Sequence, residues 1–244
     1  MTHYAYYLFG KDLKQAKLTQ LKKQGTTDIF LNYYAIELHG KTKIEQWIAQ
    51  AKKQGINVHI WCQCFYQNGK WINPKKTDTS KIIKEIIAYS KIKGVKGINL
   101  DYLRYTGDAY KTKGGTESIT KFVKTIRKNM PKNVLLSCSV MAEKEDKYYY
   151  GQDIVELSKI ADIIIPMSYK GNYKGDNKWL QDITNYFIKT SKCQIWTALQ
   201  TYKSDNNPTK LTTKELQNDI KTATKKGSKG IVLFRYGLCP AISF

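Results

Sequence analysis

Short runs rich in β-branched and aromatic residues alternate along this chain with longer, Lys-rich amphipathic stretches. The runs at 4–9, 28–34, 57–65, 97–102, 134–141, 162–168, 194–200 and 230–236 predict strands. The stretches 11–24, 43–54, 80–93, 117–129, 154–160, 178–190 and 213–226 predict helices. Strictly alternating elements imply a parallel sheet, and eight strand units imply closure. The expected fold class is therefore α/β, a (β/α)8 TIM barrel over residues 1–244 as one domain. Gly25, Gly55, Gly94 and Gly227 each follow a helical stretch, where a left-handed residue can end the helix. Only residues 238–244 remain after the eighth strand, so the final helix is short or missing. Either this tail or a partner must then cover the outer face of strands one and eight.

The fourth strand ends in polar chemistry. Alternation puts Ile98 and Leu100 on one face and Asn99 and Asp101 on the other. A carboxylate at the carboxyl end of a barrel strand sits where such folds build their active sites, which makes Asp101 the leading catalytic candidate. A buried structural Asp, held by Arg104 or a backbone amide, is the alternative. The second carboxylate is Glu143, just past strand five, or its rival Asp153, although a helix start would also welcome Asp153. The polar or aromatic face of the other strands offers Asn32, Trp61, Gln63, Met167, Tyr169, Trp196, Gln200 and Tyr202, with Arg104 just beyond strand four. Phe30, Tyr34, His59, Phe65, Ser137, Ser139, Met141, Phe234 and Tyr236 are read as inward too. Aromatic faces stack on sugar rings and amides bond hydroxyls. Gln63, Asn99 and Gln200 are poor barrel filler, so the lining suits a carbohydrate. Glycoside cleavage takes one carboxylic acid to protonate the leaving oxygen. A second group acts as nucleophile, activates water or orients the substrate's own amide.

Composition narrows the options. Lys plus Arg is 41 against 20 acidic residues, a formal charge of +21. That charge predicts attraction to an anionic polymer. The lysines are dispersed and no nucleic-acid motif appears, which argues against a dedicated nucleic-acid groove. No Gly-rich phosphate loop follows a strand, and no organic cofactor or metal is called for. The five cysteines lack paired spacing, so buried thiols are expected at Cys62 and Cys64 rather than disulfides or zinc. No run of about 18 apolar residues suggests a membrane span. The start, Met1 to Tyr7, does not read as a secretory signal. Action at the cell wall would then require phage-type lysis, non-classical export or a longer parent chain; otherwise the protein is cytoplasmic.

Gly97-Ile98-Asn99-Leu100-Asp101-Tyr102-Leu103-Arg104-Tyr105 resembles the strand-four signature of poorly characterised glycosidase barrels distantly related to chitinases. Gln152-Asp153, followed by Asp162-Ile163-Ile164-Ile165-Pro166-Met167-Ser168-Tyr169, resembles their strand-six region. The resemblance implies a glycosidase barrel, with Tyr169 at the position that contacts a substrate N-acetyl group. It departs at Leu103, where chitinases carry the Glu that acts as general acid. Asp101 would have to take a catalytic role itself. The expected function is hydrolysis of a cell-wall glycan with N-acetylated or acidic sugars, such as peptidoglycan or pseudomurein. The alternative is a carbohydrate-binding barrel, an adhesin or wall-targeting module, that does not cleave.

Overall fold

The computed structural model describes residues 2–244. Eight parallel strands close into a barrel: β1 (His3–Leu8), β2 (Asp28–Asn32), β3 (Asn57–Gln63), β4 (Gly97–Asp101), β5 (Leu135–Val140), β6 (Ile163–Pro166), β7 (Gln194–Gln200) and β8 (Gly230–Phe234). They pair in sequence order, and β1 closes the circle against β8 through His3–Gly230 to Tyr6–Leu233. Around them lie α1 (Leu18–Lys23), α2 (Tyr34–His39), α3 (Lys41–Lys53), α4 (Ser80–Ser90), α5 (Gly115–Asn129), α6 (Asp146–Tyr150), α7 (Ile154–Ser158), α8 (Asn177–Thr190) and α9 (Thr213–Lys225).

The period-2 alternation of the strands sorts side chains into two cores. Ala5, Tyr7, Phe30, Trp61, Ile165 and Trp196 fill the barrel interior. Ile60, Cys62, Ile98, Leu100, Leu136 and Cys138 face the helices. Cys62 and Cys64 are buried free thiols, and burial pushes both pKa values up. The tail covers β1 and β8. Ile242 is buried there, Phe244 stacks on Tyr4 at 4.5 Å, and the Phe244 N–H donates to the Gln24 carbonyl at 2.9 Å.

The structure departs from the expected elements at four places. The first predicted helix is a 3-10 turn at Gly10–Asp12 followed only later by α1. Tyr34, expected in strand two, begins α2 and is exposed. The fifth predicted helix is α7, two residues shorter at its end, and an unpredicted short helix, α6, precedes it across the left-handed Gly151. Two hairpins stand on the loops: Tyr66–Gln67 with Lys70–Trp71, and Tyr202–Ser204 with Asn207–Lys210. The first turns on Asn68-Gly69, both at positive φ, the Asn-Gly preference of two-residue hairpins.

At the amino end of the barrel, Asp28 accepts from His3 Nδ1 at 2.8 Å and from His59 Nε2 at 3.1 Å. These bonds hold its carboxyl well below the usual range against the opposing effect of burial. His59 is thus structural. Its ring lies against Gly97, where a Cβ would come within 2.3 Å of His59 Nδ1. That contact explains why the strand-four signature begins with Gly.

Candidate active site

Asp101 ends β4 and faces inward, 9% exposed. Its Oδ2 accepts the Trp61 Nε1–H at 2.8 Å, and its Oδ1 accepts the Tyr102 backbone N–H at 2.7 Å. Tyr102 adopts φ +51°, a left-handed conformation costing about 1–3 kcal/mol in a bulky residue. That turn folds the Tyr102 N–H back onto the preceding carboxylate. Burial raises the Asp101 pKa and is the largest influence; the two donors and the Arg104 charge oppose it. The net effect is a carboxyl shifted toward the protonated form, the state a general acid needs.

Below Asp101 a buried network fixes the interior. Asn99 Nδ2 donates to Ser137 Oγ at 3.0 Å, and Ser139 Oγ donates to Asn99 Oδ1 at 3.2 Å. Ser139 Oγ also lies 2.9 Å from the Tyr7 hydroxyl. Burial and the nearby Asp101 charge push the Tyr7 pKa up. Asn99 therefore supports the site floor and does not reach the ligand space.

Above Asp101 opens a cavity of about 400 Å³ at the carboxyl ends of the strands. Trp61, Gln63, Asp101, Arg104, Met167 and Tyr169, all expected from the sequence, line it together. Phe9, Tyr102, Met141, Phe234, Asn172, Tyr173 and Asp205 complete the wall. Tyr169 stacks on Phe234 at 5.4 Å, and burial raises its pKa. Arg104 lies 4.6 Å over the Trp71 ring and 5.6 Å from the Tyr150 ring, cation–π contacts that aim it across the rim.

Asp205 is the second carboxylate on the cavity wall and was not singled out from the sequence. It sits at the turn of the second hairpin. Asn172 Nδ2 donates to its Oδ2 at 2.8 Å; the Tyr202 hydroxyl at 2.8 Å and Gln200 Nε2 at 3.2 Å donate to its Oδ1. Gln200 and Tyr202 thus act through Asp205 instead of lining the cavity themselves. Asp101 and Asp205 line the same cavity, and burial, with smaller contributions from both charges, raises the Tyr102 and Tyr169 pKa values beside them. Gly171 makes the latch feasible: a Cβ there would collide with the Lys203 carbonyl at 1.5 Å. The sequence signal was the Asp205-Asn206 turn dipeptide.

Four other expectations need correction. Asp153 is the N-cap of α7, accepting from the Glu156 N–H at 3.1 Å and pairing with Lys147 at 2.8 Å. It is off the cavity wall, and Lys147 lowers its pKa. Glu143 accepts the Tyr150 hydroxyl at 2.9 Å and lies off the cavity wall. Trp196 lies at the amino end, stacked on His3 at 4.4 Å and packed against Gly230. Asn32 accepts the Tyr34 N–H at 3.2 Å and turns the chain into α2. Among residues read as inward without a site role, Phe65 packs outward on Phe122, and Tyr236 packs against Tyr6 outside the barrel.

Asp146 was also missed. It is buried, and neither carboxylate oxygen has a side-chain partner. Burial and the neighbouring Glu143 push its pKa up to about 9, so it is neutral at pH 7. Among the described residues no group of three His, Cys, Asp or Glu could hold a metal ion, and no helix is long and apolar enough to cross a membrane.

Comparison with solved structures places this architecture among chitinase-like barrels. A chitinase from Bacteroides thetaiotaomicron superposes with a TM-score of 0.74 at 14% identity, covering 98% of this chain and 90% of that one. The Bacillus cereus spore cortex-lytic enzyme SleL superposes at 0.72 and 12% identity, covering 97% and 71%. A glycoside hydrolase family 18 N-acetylglucosaminidase from Paenibacillus barengoltzii superposes at 0.71 and 10%, covering 98% and 96%. At these identities the likeness establishes the fold. No curated protein sequence matches the chain. A family model does match residues 41–231, from α3 through the start of β8, and so includes the Asp101 strand and the Asp205 hairpin. The chain belongs to that family, DUF4015, described as "Putative glycosyl hydrolase domain": it is a glycoside hydrolase that shares its barrel fold with those chitinases.

Proposed function

We propose that this protein hydrolyses a polymeric cell-wall glycan carrying N-acetylated or acidic sugars, with peptidoglycan the leading substrate. The observation that carries the reading is Asp101: an inward carboxyl, raised by burial, facing an aromatic-walled cavity with a second carboxylate on its rim. Leu103 is fully buried among residues that pack on the helices, so the acid of the chitinase mechanism has no counterpart there. Asp101 supplies the proton to the glycosidic oxygen, and Trp61 and the Tyr102 N–H fix the direction of its two oxygens. As the leaving oxygen takes the proton, positive charge develops at the anomeric carbon. Asp205, exposed at the hairpin turn and held by Asn172 and Tyr202, is placed to stabilise that charge or to activate water. Tyr169 and Met167 support the sugar ring from below, and Arg104 binds an acidic or N-acetyl substituent at the rim.

The structural relation to a cortex-lytic enzyme supports a wall substrate. So does the charge of +21, which favours residence on an anionic wall polymer, at the price of salt sensitivity. The site of action under this reading is the cell wall. The test is release of reducing ends from purified peptidoglycan sacculi. Wild type releases them, and Asp101→Asn, a near-isostere that cannot serve as acid, loses at least about 10²-fold. Equal activity of the Asn variant would remove Asp101 from the chemistry. Retention on sacculi with no release by wild type would return the chain to the non-cleaving wall-binding role.

A further inference from the structure

Outside the cavity, Tyr110, Tyr148 and Tyr149 are exposed at 49%, 55% and 40%. They come from two separate segments, the turn at Ala109–Lys111 and helix α6. Their rings nevertheless form one ordered cluster. Tyr110 and Tyr148 stack at 4.8 Å with planes 2° apart. Tyr149 meets both edge-on, at 6.2 Å and 88° and at 4.9 Å and 89°. Such mutual packing fixes three side chains in water without burying them, so a ligand need not meet the cost of ordering them.

The cluster is continuous with the cavity. Tyr149 lies 6.4 Å from the Tyr150 ring, Tyr150 lies 5.6 Å from the Arg104 guanidinium, and Arg104 lies on the cavity wall. Every group in this path is aromatic or guanidinium, and none is aliphatic. That composition suits the C–H faces and hydroxyls of a sugar chain better than the aliphatic anchors of a protein partner. Lys111 sits 5.6 Å from the Tyr110 ring and adds a cation beside the outermost platform.

We propose that Tyr110, Tyr148 and Tyr149 form a remote binding platform for the glycan chain whose scissile bond lies in the cavity. The proposal rests on the wall-glycan reading above and adds to it the direction the polymer takes: out over the loops after β4 and β5. Remote contacts of this kind hold an insoluble polymer at the cleft while its reacting sugar turns over.

The experiment measures retention of Asp101→Asn chain on purified peptidoglycan sacculi. Adding Tyr110→Ala and Tyr148→Ala to it is expected to weaken retention about tenfold, two aromatic contacts' worth, with the thermal midpoint unchanged. Adding Tyr148→Phe instead, which keeps the ring, retains binding. Undiminished retention of a folded double-Ala variant overturns the platform while leaving the wall-glycan reading standing. No retention of the Asp101→Asn parent overturns both. A wild-type dimer in solution that the double-Ala change dissociates assigns the cluster to contact between copies and overturns the platform as well.

Discussion

Replacing Trp61 with Phe tests the protonation argument at its most exposed joint. The substitution removes the Nε1–H that Asp101 Oδ2 accepts at 2.8 Å and leaves the carboxyl in place. A buried hydrogen bond to a charged acceptor contributes about 1.5–3 kcal/mol. At 1.36 kcal/mol per pKa unit, losing it raises the Asp101 pKa by about 1–2 units. The sign follows from what the bond favours: the donor stabilises the carboxylate, so its loss adds to the upward push of burial. If Asp101 is the general acid, its protonated form then persists to higher pH. The alkaline limb of the kcat–pH profile on a soluble glycan moves up by about 1–2 units. If it acts instead as a carboxylate, the acidic limb moves up. Trp61 also packs on Tyr7 at 4.9 Å and on Phe9 at 5.0 Å, so the smaller ring costs about 1–2 kcal/mol of stability, to be checked by thermal melting. A folded variant whose profile superimposes on wild type would refute the assignment of either role to Asp101.

Asp205→Asn removes the charge at the hairpin turn and turns one of its two accepting oxygens into a donor facing donors, costing about 1–3 kcal/mol of stability; kcat of the folded variant falls about 10²-fold or more, whereas a purely structural Asp205 would lower Tm and spare kcat. Asp146→Asn reports on the buried carboxyl beside Glu143. The folded pKa of about 9 lies above the unfolded value, so this group's contribution to stability is full below the unfolded pKa and is lost as pH rises through about 9. Denaturant unfolding of the Asn variant should therefore show a flatter decline over that window than wild type, and parallel curves would place Asp146 in a more solvated setting.

Face was legible in the sequence; depth and loop geometry were not. Period-2 alternation put Asn99 and Asp101 inward and Cys62 and Cys64 outward, and the structure agrees. Alternation says nothing about which layer along the barrel axis a residue occupies, because that depends on register between strands. Trp196 pairs with Gly230 near the amino end, away from the site, although it faces inward like Trp61. Extending the alternation past a strand end also misled. β3 stops at Gln63, so Phe65 turns out to the helices; Glu143, placed just past strand five, sits on a loop where alternation gives no direction. The Asp205-Asn206 dipeptide marks a turn, but its place on the cavity comes from contacts between two distant loops, through Asn172 and Gly171. Asp153 had a local explanation from the start, a carboxylate at a helix N-terminus, and that is the role it fills.

The most direct test of the account is a crystal structure of Asp101→Asn soaked with a short N-acetylglucosamine oligomer. A sugar is expected in the cavity above Tyr169, its glycosidic oxygen within hydrogen-bond distance of residue 101 and Asp205 facing the anomeric carbon. An oligomer bound elsewhere, or one in the cavity with its glycosidic oxygen beyond the reach of residue 101, would contradict it.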